Sequence, residues 1–140
     1  MKRSVARAAD SRQPGLVLDA GALFAVEAGR LTDVLSLADA LGLPIRLSGG
    51  ALAQAWRGGP RSARLAALLK KGVIVVALDM LEARRVGEFI SRTKPKGSAR
   101  PDVVDAHAAF IARETASLVY TSDERDLARY GVPPMQIRRV

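Results

Sequence analysis

Short apolar runs alternate with segments of helical periodicity along most of the chain. The apolar runs are bounded by Gly, Pro, Asp or Ser, which is typical of strands in a sheet. Between them, apolar residues recur every three or four positions, which predicts amphipathic helices. The five predicted strands are LVLD (16–19), PIRLS (44–48), VIVVAL (73–78), SLVYTS (117–122) and MQIRRV (135–140).

The predicted helices determine the fold class. Because helices separate successive strands, we expect parallel strands joined by right-handed crossovers. VIVVAL is rich in β-branched residues without a polar break, which favours a strand covered on both faces. The chain is predicted to be an α/β protein with a central five-stranded parallel sheet, flanked by helices at 21–28, 31–41, 50–57, 61–71, 80–93, 102–115 and 123–130.

Length and composition limit the domain organisation and the compartment. A chain of 140 residues is expected to form one domain, here 15–140, preceded by a basic disordered arm over 1–14. It has no cysteine, which excludes disulfides and thiolate metal sites. The apolar runs are too short to span a bilayer, and the basic start lacks the apolar core of a signal peptide. We therefore expect a cytoplasmic protein without a membrane segment.

The formal net charge is +8, and the sequence pI is about 10.8. An excess of this size favours binding to polyanions, above all to nucleic acid. An arginine-rich solvated surface would give the same balance without any partner. The positive charge is concentrated in residues 1–13 and 84–100.

Asp19 stands alone at the carboxyl end of the first predicted strand. A buried ionised carboxylate is costly unless it is paired, and ligands of open parallel sheets bind beyond the carboxyl ends of the strands. Similar positions, at predicted helix starts, are taken by Asp102 and Asp105 and by Asp123 and Asp126. The two members of each pair are three residues apart and share a helix face.

Helix capping is the alternative explanation of these acids. Carboxylates in a first turn stabilise the positive end of the helix dipole, and Thr121 with Glu124 fits a capping box. Three junctions with acids at one end of a sheet nevertheless favour a joint site. Two carboxylates about 5 Å apart repel by about 3 kcal/mol at an effective dielectric constant of about 20, so a cluster requires a cation. Mg²⁺ prefers oxygen ligands and serves phosphodiester hydrolysis.

His107 is the single histidine of the chain. On a helix it lies about 160° from Asp105, which favours a helix-surface or packing role over catalysis.

Three stretches resemble the PIN-domain family: LVLDAGALFA (16–25), ALAQAWRGGPRSARLAALL (51–69) and DVVDAHAAFIARETASLVYTSDERDL (102–127). Within that family the chain is most similar to the VapC-type toxins of bacterial toxin–antitoxin pairs. The resemblance implies a PIN-like three-layer sandwich and a Mg²⁺-dependent ribonuclease, with Mn²⁺ as an alternative cofactor. It also implies an RNA substrate, a cognate antitoxin protein and a homodimer.

The resemblance also assigns site residues. Asp19, Asp105 and Asp123, which matches the fourth acid of the family, are expected to bind the metal and to be catalytic, and Asp126 matches an auxiliary metal ligand. Gln54 is the fourth residue expected to be catalytic. Asp102 has no counterpart. Gln54 stands where the family usually has Glu, and Gly21 stands where it usually has a small hydroxyl residue.

The departures at Gln54 and Gly21 leave two other functions open. A glutamine can coordinate through its carbonyl oxygen or orient a water, but it brings no charge and cannot act as a base. One alternative is therefore a catalytically degenerate PIN module that binds RNA or a protein partner without cleavage. The other is a basic α/β domain whose acids only cap helices.

Overall fold

The computed structural model describes residues 12–93 and 100–140, and all five predicted strands form in them. The strands are β1 (Leu16–Leu18), β2 (Ile45–Ser48), β3 (Ile74–Val76), β4 (Leu118–Thr121) and β5 (Ile137–Arg139). Every neighbouring pair is parallel, and the order across the sheet is β3-β2-β1-β4-β5. The predicted five-stranded parallel sheet is confirmed.

Seven α-helices flank the sheet in the described part of the chain, each close to its predicted position. They are α1 (Ala20–Glu27), α2 (Thr32–Leu41), α3 (Gly49–Ala55), α4 (Ala63–Lys70), α5 (Met80–Thr93), α6 (Val103–Thr115) and α7 (Glu124–Arg129). Short 3₁₀ turns precede α4 at Gly59–Ser62 and β5 at Pro134–Gln136.

Two apolar cores make the molecule a three-layer sandwich. Neighbouring residues of a strand point to opposite faces, so Val17 packs with α5, α6 and α7, whereas Leu18 packs with α1, α3 and α4. The central strand β1 is the most fully covered, since all three of its residues are buried. The PIN-like three-layer arrangement expected from the sequence is confirmed as a fold.

The expectation that the VIVVAL strand is covered on both faces is wrong. Within that stretch only Ile74–Val76 is extended, and it forms the edge strand β3. Val75 at its centre is 41% exposed. A β-branched run favours a strand, but the position of that strand in the sheet depends on which strand pairs with it.

Two predicted segments fall largely outside the described residues: the basic arm over 1–14 and the loop KPKGSARP (94–101). Both stay predictions. Among the helices that the structure describes, none has the length and apolar character needed to cross a membrane.

Candidate active site

The carboxyl edge of the sheet brings Asp19 and Asp123 into one neighbourhood. Asp19 follows β1 and Asp123 lies just beyond β4, and these two strands are paired. The Asp19 amide continues the pairing by donating to the Tyr120 carbonyl over 3.2 Å. The two carboxylates interact electrostatically, since the negative charge of Asp123 contributes to raising the pKa of Asp19.

Asp19 is a buried carboxylate that is held by local donors. Its side chain is the N-cap of α1, where one carboxylate oxygen accepts the Ala22 amide over 2.9 Å. Burial raises the pKa of Asp19, and hydrogen bonds from the Thr121 hydroxyl and the Ala22 and Gly21 amides partly offset that rise. The residue is only 5% exposed, so capping satisfies part of its bonding capacity without removing the cost of burying its charge.

Asp102 and Asp123 are also helix caps. The Asp102 carboxylate accepts the Asp105 amide over 3.0 Å at the start of α6, and Asp123 accepts the Arg125 amide over 3.1 Å at the start of α7. The capping box predicted from Thr121 and Glu124 is wrong. The Thr121 hydroxyl accepts the Asp123 amide over 2.9 Å instead, in the loop before the helix, because the N-cap of α7 is Asp123.

Asp105 lies inside the first turn of α6, and its carboxylate caps no helix. Its pKa is raised from 3.8 to about 7, mainly by burial and in smaller part by the negative charges of Asp102, Asp126 and Asp19. A carboxyl–carboxyl hydrogen bond joins it to Asp126. The surroundings of Asp105 therefore disfavour its ionised form, and a cation would relieve that cost.

Gln54 is the predicted site residue whose side chain forms no hydrogen bond with these acids. It is exposed in the last turn of α3, and its side chain forms no hydrogen bond or ion pair with any described residue. It is one helical turn beyond Gly50 and shares that face of α3. A Cβ on Gly50 would lie 3.0 Å from the Val104 side chain, so this face is directed toward the start of α6, where Asp105 follows Val104.

The acids at the carboxyl edge supply part of the ligand set that a hard divalent cation requires. In residues 12–93 and 100–140, no three acidic or histidine side chains form a ready cage for a metal ion. Mg²⁺ in proteins is usually held by one or two carboxylates, with waters and substrate phosphate completing the shell. Asp19 and Asp105 supply oxygen ligands of that type, and their raised pKa values indicate negative charge that a cation would stabilise.

Gly21 allows α1 to approach the loop after β4 more closely than a residue with a side chain would permit. A Cβ at this position would overlap the Ser122 side chain, including its hydroxyl. The first turn of α1 therefore packs directly against the loop that follows β4. The hydroxyl next to Gly21 is supplied by Ser122, which the sequence analysis did not single out.

His107 is buried, which contradicts a helix-surface position and agrees with a packing role. Its Nδ1 lies 2.9 Å from the Ser48 hydroxyl and its Nε2 lies 3.0 Å from a Glu82 carboxylate oxygen. These three residues resemble a nucleophile–histidine–acid relay, but Ser48 and His107 are each only 1% exposed. The Ser48 hydroxyl also caps α3 through the Gly50 amide, so the relay joins α5 and α6 to the end of β2 and is closed to substrate.

Comparison with protein-family models found no match, and a search of curated proteins found none that matches at a significant level.

Proposed function

We propose that this chain is a Mg²⁺-dependent ribonuclease that hydrolyses RNA phosphodiester bonds at the carboxyl edge of its sheet. One observation carries the proposal: Asp105 is half-buried among like charges and caps no helix. Such an arrangement lowers the stability of the fold, and groups with strongly perturbed pKa values cluster at functional sites. Capping accounts for Asp19, Asp102 and Asp123, but it does not account for Asp105.

Each acid has a part in the proposed reaction. Asp19 and Asp105 are the direct metal ligands, and Asp123 and Asp126 complete the negative charge of the site. Hydrogen bonds from Thr121 and from the first turn of α1 keep Asp19 oriented without a cation. A bound Mg²⁺ would lower the pKa of a coordinated water and stabilise the charge that develops on the phosphate.

The biological setting of this activity is a further part of the proposal. The resemblance to VapC-type toxins supports a toxin role, with a cognate antitoxin and a homodimer as partners. A short upstream reading frame that encodes a DNA-binding protein would support it, and co-purification with that protein would test it.

The experiment that tests the activity is cleavage of a mixed single-stranded RNA pool in Mg²⁺ and in EDTA. We expect the parent protein to cut in Mg²⁺ only, and Asp19→Ala not to cut, because the variant lacks a metal ligand at the most buried position. Asp39→Asn is the matched control, since this acid is exposed on α2. Cutting that survives in Asp19→Ala would identify a contaminating nuclease and overturn the site.

A degenerate PIN module that binds RNA without cleavage is the second candidate function. Two observations favour it: Gln54 contributes no charge, and no three described acids or histidines form a ready metal cage. This module would bind RNA with the salt dependence typical of Lys and Arg contacts to phosphates.

Gln54→Glu separates the two functions. In an active nuclease the added carboxylate is expected to tighten Mg²⁺ binding severalfold, because it adds a charged oxygen ligand on the face of α3 that is directed toward Asp105. In a degenerate module the same change is expected to create cleavage that the parent lacks. Isothermal titration calorimetry with Mn²⁺ measures the metal affinity, and the RNA assay measures cleavage. Unchanged metal affinity and unchanged cleavage would show that position 54 lies outside the site.

A further inference from the structure

We propose that Arg125 and Arg139 form a phosphate-binding subsite that holds the RNA backbone beside the acid cluster. This inference rests on the proposed function and extends it to the positioning of the substrate. The two arginines line a concave surface of about 430 Å³ together with Ser122, Asp123 and Glu124.

The two arginines lie on the same side of the sheet as the acids. Arg139 ends β5 directly opposite Thr121 on β4, and Arg125 is in the first turn of α7. Both arginines therefore lie at the carboxyl edge of the sheet, where Asp123 follows β4. Because Asp123 belongs to the acid cluster and also lines this cavity, a phosphate held by the arginines would adjoin the cluster.

Neither cation has a polar partner in the part of the chain that the structure describes. No described residue forms a hydrogen bond or ion pair with either guanidinium group, although Asp123 and Glu124 line the same cavity. Both arginines are exposed. The first turn of a helix is also the least favourable position for a positive side chain, because it adds to the positive end of the dipole. Neither the helix dipole nor a polar partner among the described residues therefore stabilises the charge of Arg125.

A larger groove between α5, α6 and α7, of about 560 Å³, also contains arginines. Two of its three arginines already have contacts within the protein. Arg113 donates to the Tyr130 carbonyl and lies over the Phe89 ring, and Arg129 pairs with Asp126. The pair at the carboxyl edge is therefore the better candidate for binding an external anion.

The chemistry of the cavity fits a phosphodiester. A guanidinium group offers parallel N–H donors that match two phosphate oxygens, and the Ser122 hydroxyl is a further donor. An acid cluster repels RNA, so a substrate needs positive charge at the rim of the site before a cation neutralises the acids.

The test is the binding of a fluorescein-labelled single-stranded 12-mer RNA, measured by anisotropy in EDTA at several salt concentrations. The slope of log affinity against log salt changes by about 0.7 for each phosphate contact on a single strand. The Arg125→Gln/Arg139→Gln variant is therefore expected to bind severalfold more weakly, with a slope about 1.4 shallower than that of the parent. Arg30→Gln is the matched control, because this exposed arginine follows α1 at the other edge of the sheet.

Several outcomes would overturn the inference: no RNA binding by the parent, equal slopes for the double variant and Arg30→Gln, or equally strong displacement of RNA by poly-glutamate. The last result would indicate an acidic protein partner.

Cleavage in Mg²⁺ is measured separately. RNA that binds through this pair but stays uncut would refute the nuclease and leave the subsite standing. Cutting with an unchanged KM in the double variant would refute the subsite alone.

Discussion

Asp105→Asn is expected to be more stable than the parent protein above pH 7 and to be inactive as a nuclease. The change replaces a carboxylate by a neutral amide of the same shape. The amide can donate to Asp126, which the ionised carboxylate cannot do. Loss of a metal ligand at the reacting centre is expected to lower the cleavage rate by about a hundredfold or more.

The stability change follows from the pKa of Asp105. Its folded value of about 7 is raised above the ordinary value of 3.8, mainly by burial. Between those values the folded protein binds more protons than the unfolded chain, so the free energy of unfolding falls as pH rises. This loss of unfolding free energy is absent below about pH 4 and complete above about pH 7. Because Asp105 is partly exposed, solvent screening limits the effect to about 1–2 kcal/mol.

Thermal unfolding at pH 4 and at pH 8 measures this effect. We expect a Tm gain of roughly 4–8 °C for Asp105→Asn at pH 8 and little difference at pH 4. Asp39→Asn, at an exposed position on α2, is expected to leave Tm unchanged at both values. An Asp105→Asn protein that is less stable than the parent at pH 8 would contradict the idea that the acid cluster is under electrostatic strain.

Mg²⁺ or Mn²⁺ is expected to raise the stability of the parent protein. A ligand at about 100 times its dissociation constant adds about 2.7 kcal/mol to the free energy of unfolding. The gain arises because the cation neutralises the carboxylates whose mutual repulsion raises the pKa of Asp105. Asp19→Asn is expected to remove most of this gain, since it deletes the most buried ligand.

Scanning calorimetry with increasing MnCl₂ measures the gain, with CaCl₂ and NaCl at equal ionic strength as controls for general screening. A Tm that does not respond to Mn²⁺ in the parent would refute the metal site. An equal response in Asp19→Asn would show that the ion binds elsewhere.

The pattern of apolar residues was sufficient to predict the α/β class, the five strands and the seven helices that the structure describes. Side-chain periodicity is a local property, so it can be read without knowing the neighbours of a residue. The position of VIVVAL at the sheet edge depends on pairing between distant strands, and the sequence analysis placed it wrongly for that reason.

In the candidate site, too, local features could be predicted from the sequence and long-range features could not. The sequence was sufficient to identify Asp19, Asp102 and Asp123 as acids at helix starts, because capping is set within a few residues. The pKa of Asp105 is raised by burial and by charges from other elements, and the spacing of the acids along the chain reveals neither cause. In the sequence, only the family resemblance separated Asp105 from Asp102. The hydrogen-bond partners of His107 are Ser48 and Glu82, which are 59 and 25 residues away along the chain. A local pattern could not identify them.

By itself, then, the sequence determined which segments become strands and helices, and it put acids where parallel strands end. Only the tertiary structure decided which acids share an environment: it raised the pKa of Asp105, packed Gly21 against Ser122, and left Arg125 and Arg139 without partners among the described residues. The reason is physical. Hydrophobic periodicity and capping act over a few residues, whereas burial and Coulomb interactions depend on distances that only the folded chain fixes.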